Sequence, residues 1–344
     1  MNNVNQKIID AVIAKAEKIC PDSLALIGVY GSVATGDEYE KSDLDLLILI
    51  QNDDGWKLGT GFILENSGVG YDIYCTDWDG LRFDAECHHA RLSKLLDSKI
   101  VYIKNQDAYD ELCKLREQAT DFLNSEERSR RVNELIEKAK ISYANSCLHD
   151  TIGQVRSDAY YTMLFISNAL MLHHGVYFKH GVKKTFEELS KLPVDEEFSD
   201  NMRKTAAGKD VSELRALLKN LVLYAENHVK RETKKEEPSE RISGTYEEMY
   251  SNWRNKVEEA AVNNDVFSSF MNMCGLDCML SEISSEVNIG SLNIMEDYDP
   301  DCLEANIRTF DEYLEKYERI CEKAGVTVKR FSDIDEFVAD YFKN

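Results

Sequence analysis

LIGVYGSVATGDEYEKSDLDLLILI, residues Leu26 to Ile50, decides the fold of this chain. It reads as an apolar strand, a Gly31-Ser32 turn, a polar loop, and a second apolar strand that opens with Asp43 and Asp45. Successive side chains of a strand point to opposite faces, so residues two apart share a face. Asp43 and Asp45 therefore project together, beside Gly31 and Ser32. Two carboxylates at the mouth of an apolar strand are costly to bury without compensation. A divalent cation supplies it, since carboxylate oxygens suit Mg²⁺, commonly held by one or two carboxylates together with substrate phosphates. Asp-x-Asp by itself more often marks a turn or a solvated strand end than a site. Here the unbroken apolar run Leu46 to Ile50 follows it, where a solvated edge strand would alternate polar and apolar residues.

Gly31-Ser32, a spacer, and Ser42-Asp43-Leu44-Asp45-Leu46 resemble the signature of the DNA polymerase β-like nucleotidyltransferases. The stretch IGVYGS most resembles the branch that contains the kanamycin and other antibiotic nucleotidyltransferases. The resemblance covers about the first third of the chain, weakens through the middle, and is absent from the last third. It implies that the Gly-Ser turn binds the triphosphate of a nucleotide, that Asp43 and Asp45 hold metal ions, and that a third carboxylate on a later strand completes the site. It further implies Mg²⁺, with ATP or another nucleoside triphosphate as co-substrate, and a small hydroxylated acceptor such as an aminoglycoside-like antibiotic. Gly31 lets the backbone approach phosphates closely, and Ser32 offers a hydroxyl and an N–H. Ser42 is a candidate nucleotide contact, although capping the turn before Asp43 explains it equally well. Antibiotic nucleotidyltransferases also use a glutamate from the first bundle helix as general base. Glu134 and Glu137 stand there, and a solvated charged face accounts for them too. A protein adenylyltransferase of toxin–antitoxin type, or a nucleotide-binding protein without turnover, are the alternative readings.

The third carboxylate is sought in VGYDIYCTDW, Val69 to Trp78, a β-rich segment with Asp72 inside it. Asp72 lies between Tyr71 and Ile73-Tyr74 and is expected to open a strand, which makes it the third metal ligand or a group that orients the acceptor. Asp77, Asp79 and Asp84 fall in the following turn and helix, where N-capping and the helix dipole account for them.

The fold class expected is α+β: a small mixed-sheet domain over residues 1–125, a helical bundle over 126–236, and a mostly helical segment over 245–344. A helix is expected over Asn5 to Ile19, strands over Leu24 to Tyr30, Leu46 to Ile50 and Tyr71 to Cys75, and a helix over Asp77 to Leu96. A strand at Lys99 to Ile103 and a helix at Ala108 to Phe122 follow. Long amphipathic helices are expected over Arg131 to Leu148, Asp158 to His174, Gly181 to Lys191 and Val211 to Lys230. The charged stretch Lys230 to Gly244, with Pro238, is the linker candidate. Beyond it come helices over Tyr246 to Val262, Val266 to Ile283, Leu303 to Ala324 and Ile334 to Phe342, and a strand or extended arm at Val326 to Phe331. This last segment is read as a cover for the cleft, a homodimer contact, or a support for the bundle.

The chain has 344 residues, enough for two or three domains with real cores. A net charge of −22 argues against general binding to nucleic-acid backbones, which wants Lys and Arg. A local basic patch would not show in that total. The cysteine count, 9, is odd and without pairing rhythm, so free thiols in a reducing cytosol are expected. Cys274 and Cys278 do not have zinc-knuckle spacing, and neither His88-His89 nor His173-His174 completes a metal set by sequence. His173, His174 and His180 read as polar punctuation at a helix end. No apolar run approaches the ~20 residues of a membrane span. MNNVNQ and the amphipathic stretch after it do not form a signal-peptide pattern, and the expected compartment is the cytoplasm.

Overall fold

Both faces of the central strands are buried, which is why their sequences do not alternate. Strand β1 (Leu24–Tyr30) pairs antiparallel with β2 (Asp45–Ile50), Tyr30 opposite Asp45 and Ile27 opposite Ile48. Leu47 and Leu49 point into one core, and Leu46, Ile48 and Ile50 into another. A register shift between Leu24 and Leu26 is the irregularity that lets Ala25 and Leu26 join the same face. Asp45 has the parity of Leu47 and Leu49, so it opens on the face that the bundle covers.

The computed structural model describes residues 3–230, 236–238 and 240–341, which divide between two units, Met1–Arg231 and Glu232–Asn344. In the first, helix α1 (Asn3–Ile19) lays Ile9, Val12 and Ala16 on the outer face of the sheet. The chain then runs β1, the short α2 (Gly31–Thr35), a polar loop, β2, and an antiparallel hairpin β3 (Thr60–Leu64)/β4 (Val69–Ile73) that forms its own small sheet. Next come β5 (Cys75–Thr76), parallel to β2, then α3 (Trp78–Ala85), α4 (Ser93–Leu96), β6 (Lys99–Ile103) and α5 (Gln106–Asn124). The main sheet has the order β5-β2-β1-β6, with β6 antiparallel to β1. This is the small mixed sheet that the sequence led us to expect, followed by a mostly helical remainder.

The helix expected over Asp77 to Leu96 is broken. Asp77 caps α3 through the Gly80 N–H at 2.8 Å, but Cys87 takes φ 52 and stops the helix, and seven residues pass before α4 starts. The intervening loop is fixed to the bundle. The Ala90 N–H donates to the buried Asn168 Oδ1 at 2.7 Å, and the Ala90 carbonyl accepts the Phe178 N–H at 2.8 Å.

The bundle consists of α6 (Arg128–Leu148), α7 (Ile152–His173), the short α8 (Thr185–Leu189), α9 (Glu196–Ala207) and α10 (Val211–Val229). Helix α7 is its centre: Ile166 to Leu172 are all buried. The second unit contains α11 (Thr245–Met249), which runs through a π turn into α12 (Asn255–Val262), then α13 (Val266–Glu286), α14 (Leu303–Lys323) and α15 (Ile334–Tyr341). Met249, Val257, Met273, Leu280, Phe310 and Tyr317 form its core. The arm Val326 to Phe331 is not a strand. Residues 231–235 and 239 of the linker candidate, and Phe342, lie outside the described residues. All nine cysteines are free, and among the described residues no helix is long and apolar enough to cross a membrane.

Candidate active site

The turn after β1 brings Gly31 against Asp45. Gly31 has φ +66, and a Cβ placed on it would sit 1.9 Å from Asp45 Oδ2. No other residue type leaves that carboxylate its place. The Ser32 N–H donates to the Asp45 carboxylate. Asp45 is half-buried; burial and then the charge of Asp43 push its carboxyl above the ordinary aspartate range, and the Ser32 hydrogen bond only partly offsets them. Asp43 is exposed, two residues earlier, in the extended segment before β2. The Tyr30 phenol, opposite Asp45, is pushed up to about 12 by burial and by the charges of Asp45, Asp84, Asp43 and Asp72, in that order. The fields of these four carboxylates thus overlap at one end of β1.

Beside this acidic end lies a cleft of about 380 Å³ whose lining combines Tyr30, Gly31, Asp45 and Asp84 with Arg91, Lys94, Lys179 and His180. Asp84, 4% exposed, pairs with Lys94 Nζ at 3.0 Å and His89 Nε2 at 3.2 Å. Burial alone would raise its carboxyl, but the His89 hydrogen bond and the Lys94 charge outweigh burial and hold it below the ordinary range. Arg91 stacks over the Phe178 ring at 5.3 Å and Lys179 lies 5.5 Å over the Tyr177 ring. Neither is in an ion pair among the described residues, so both charges remain available to a ligand. The segment that carries Lys179 is held from beneath: buried Glu188 accepts the N–H of Lys179 at 2.8 Å and that of His180 at 3.4 Å. His180 in turn bonds the Asp37 carboxylate on the loop after α2.

The residues expected from sequence do not all come together. Gly31, Ser32, Asp43 and Asp45 meet at the turn. Asp72 sits apart on the hairpin: it is exposed, opposite Gly61, and is the next-to-last residue of β4 rather than the first. Its charge still reaches Tyr30. Ser42 closes its own turn, its Oγ accepting the Tyr39 N–H at 2.9 Å. Glu134 is held by Arg131 at 2.8 Å and Glu137 by Lys140 at 2.9 Å, and neither lines the cleft. Asp84 corrects its expected role: it ends α3 instead of capping it, and its carboxylate faces the cleft.

The donor set at the turn fits a hard divalent cation. Burial, and then the charge of Asp43, disfavour the ionised Asp45, a penalty that a bound cation relieves. The three aspartates do not form a closed cage. Among the described residues the only trio of His, Cys, Asp or Glu donors with atoms within 4.8 Å of one another is His173, His174 and His228. An open two-carboxylate site leaves positions for phosphate oxygens.

Residues 12–120 match the family model of the nucleotidyltransferase domain. The match is to the domain as a whole and does not single out the antibiotic branch. None of the curated proteins searched matches the chain. Among solved structures, a nucleotidyltransferase-like protein from Exiguobacterium sibiricum 255-15 is similar at 13% identity and a TM-score of 0.33, over 82% of this chain and 92% of that one, a likeness too loose to say more. The expectation raised by Leu26 to Ile50 thus meets a match that spans both strands and the hairpin, and what this chain carries there is a nucleotidyltransferase domain, which makes it a transferase.

Proposed function

We propose that the chain is a Mg²⁺-dependent enzyme that transfers a nucleoside monophosphate, AMP from ATP, to a hydroxyl of a small acceptor. The observation that carries this reading is the two-signed cleft, whose lining combines Asp45 and Gly31 with Arg91 and Lys179, cations outside any ion pair among the described residues. A nucleoside triphosphate needs both. Cations neutralise its outer phosphates, and carboxylates hold the ion that bridges them.

In the transfer, the acceptor oxygen bonds to the α-phosphorus and its hydroxyl proton is lost to solvent. The bond from that phosphorus to its bridging oxygen breaks, and pyrophosphate leaves with the electron pair. Asp43 and Asp45 would hold Mg²⁺, with Asp72 on the neighbouring hairpin as the candidate third carboxylate, and the ion would supply charge neutralisation at the phosphate oxygens. The chain's own residues position the reactants. Ser32 keeps Asp45 in place through its N–H and offers its hydroxyl to the triphosphate. Gly31 admits the phosphates to the backbone. Arg91 and Lys179 draw the leaving pyrophosphate away from the acceptor.

Aminoglycoside-like antibiotics are the acceptor class that the resemblance implies. The bundle residues that line the cleft include Lys179 and His180 but no carboxylate, so the lining carboxylates open to a polycationic acceptor are Asp45 and Asp84. That scarcity favours, as a second reading, an uncharged hydroxylated acceptor or a protein hydroxyl.

A pyrophosphate-release screen of four nucleotides against antibiotics and candidate proteins tests the reading directly. Release with a nucleotide and acceptor supports it, and no release with any pair contradicts it. With a working pair, Arg91→Met and Lys179→Met are each expected to raise KM for the nucleotide by about 10-fold or more, the loss of one charge-assisted contact. An unchanged KM in both removes the cations from the site. Asp72→Asn is expected to lower kcat by at least ~10²-fold. If Asp84→Asn does so and Asp72→Asn does not, the third carboxylate is Asp84.

A further inference from the structure

His173 ends α7, His174 follows it as the cap, and His228 lies in the last turn of α10. One ring nitrogen from each comes within 4.8 Å of the other two, and all three residues are half-buried. Nε2 of His174 lies 2.9 Å from Nε2 of His228. The three rings stand nearly at right angles: 78° between His173 and His174, 71° between His173 and His228, and 70° between His174 and His228. At that separation the two nitrogens face each other in an N–H···N contact whose direction depends on the tautomer, and loss of that one proton leaves both as acceptors. None of the three lines the cleft that holds Asp45.

We propose that His173, His174 and His228 bind a divalent transition-metal ion of the Zn²⁺ class, which clips the end of α7 to the end of α10 and leaves a fourth position for solvent. Imidazole nitrogen selects Zn²⁺ and its neighbours over Mg²⁺, whereas the carboxylates of Asp43 and Asp45 select the reverse. At Zn–N distances near 2.0–2.1 Å a tetrahedral site has N···N edges of about 3.3 Å, so His174 and His228 need part by only a few tenths of an ångström.

The surroundings suit neutral ligands held in place. Burial, then the charges of His173, His228 and Arg128, push His174 down to about 4, and burial lowers His228 against the pull of Asp195. Neutral imidazole is the form that binds metal. Tyr224 stacks on the His228 ring at 5.6 Å, with its hydroxyl 3.5 Å from Nδ1, and that hydroxyl accepts the Asp195 N–H at 2.8 Å. Such outer partners set ring orientation in metal sites. Arg128 is close by; its Nε donates to the His173 carbonyl at 3.3 Å and its charge lowers His174, while the charge of Asp195 acts the other way on His228.

The test uses the untagged full chain, with millimolar Mg²⁺ present to occupy the carboxylates. Calorimetry with Zn²⁺ is expected to show one equivalent binding. His174→Gln and His228→Gln should each weaken it by at least about 10-fold, the lower end for disturbing a zinc site. With Co²⁺ as probe, the visible bands should appear without a thiolate charge-transfer band, which separates this site from the cysteines. A third reading needs no variant: Zn²⁺ should raise the melting temperature of the wild-type chain, since the three imidazoles converge only in the folded form. Absence of binding, a thiolate band, an undiminished affinity in both folded variants, or an unmoved wild-type melt overturns the proposal.

Discussion

Asp45→Asn is expected to lose at least ~10³-fold in turnover while melting higher than the wild type at neutral pH in the presence of a chelator. The two effects share one cause. Burial and the charge of Asp43 raise the Asp45 carboxyl above its value in the unfolded chain, so the native state binds that proton more tightly. In the pH window between the ordinary aspartate value and the raised one, native stability falls as pH rises. At neutral pH the ionised carboxylate therefore opposes folding, and asparagine removes the opposition. The margin between variant and wild type should shrink as pH falls through that window, where Asp45 becomes neutral as well. Melting curves at several pH values check this, and added Mg²⁺ should stabilise the wild type alone. A variant that melts lower than the wild type at pH 7 would mean that Asp45 is chiefly a structural group.

Gly31→Ala should cost both stability and activity. Its φ of +66 lies where a side chain costs about 1–2 kcal/mol. That corresponds to a melting point lower by roughly 2–8 °C in a unit of this size. The new Cβ would also fall 1.9 Å from Asp45 Oδ2, so the carboxylate must leave its position. A loss of at least ~10²-fold in turnover is expected, because displaced charge-stabilising groups lose most of their effect. Gly36→Ala is the internal control. Gly36 has φ +79 but nothing within 4 Å of its would-be Cβ. It should share the loss of stability and keep the activity. Equal activity losses in the two variants would trace the effect to backbone strain instead of to Asp45.

The heart of the fold was legible because two signals agree there. The unbroken apolar runs of β1 and β2 require burial on both faces, and the aspartates at Asp43 and Asp45 interrupt them only at the mouth. Cys87 shows where local pattern fails. The stretch from Asp77 to Leu96 keeps a helical rhythm, but one residue at positive φ turns the chain out and delivers His89, Arg91 and Lys94 to the cleft. Helix α9 was missed because its buried positions, Phe198, Met202 and Thr205, are few and set among charges. The basic wall was hidden by arithmetic: Arg91 and Lys179 stand far apart in a chain of net charge −22. The histidine cluster was half visible. His173 and His174 are neighbours in sequence, but His228 joins them only through the packing of α10 on α7.

Calorimetry with a non-hydrolysable ATP analogue needs no knowledge of the acceptor and bears on the pairing of Asp43 and Asp45 with the nucleotide. The wild-type chain should bind the analogue with Mg²⁺ at least ~10-fold more tightly than in chelator, and Asp43→Asn/Asp45→Asn should lose that dependence. Equal affinity with and without Mg²⁺ in the wild type, or an undiminished Mg²⁺ dependence in the double variant, would contradict a metal-bridged nucleotide at this turn.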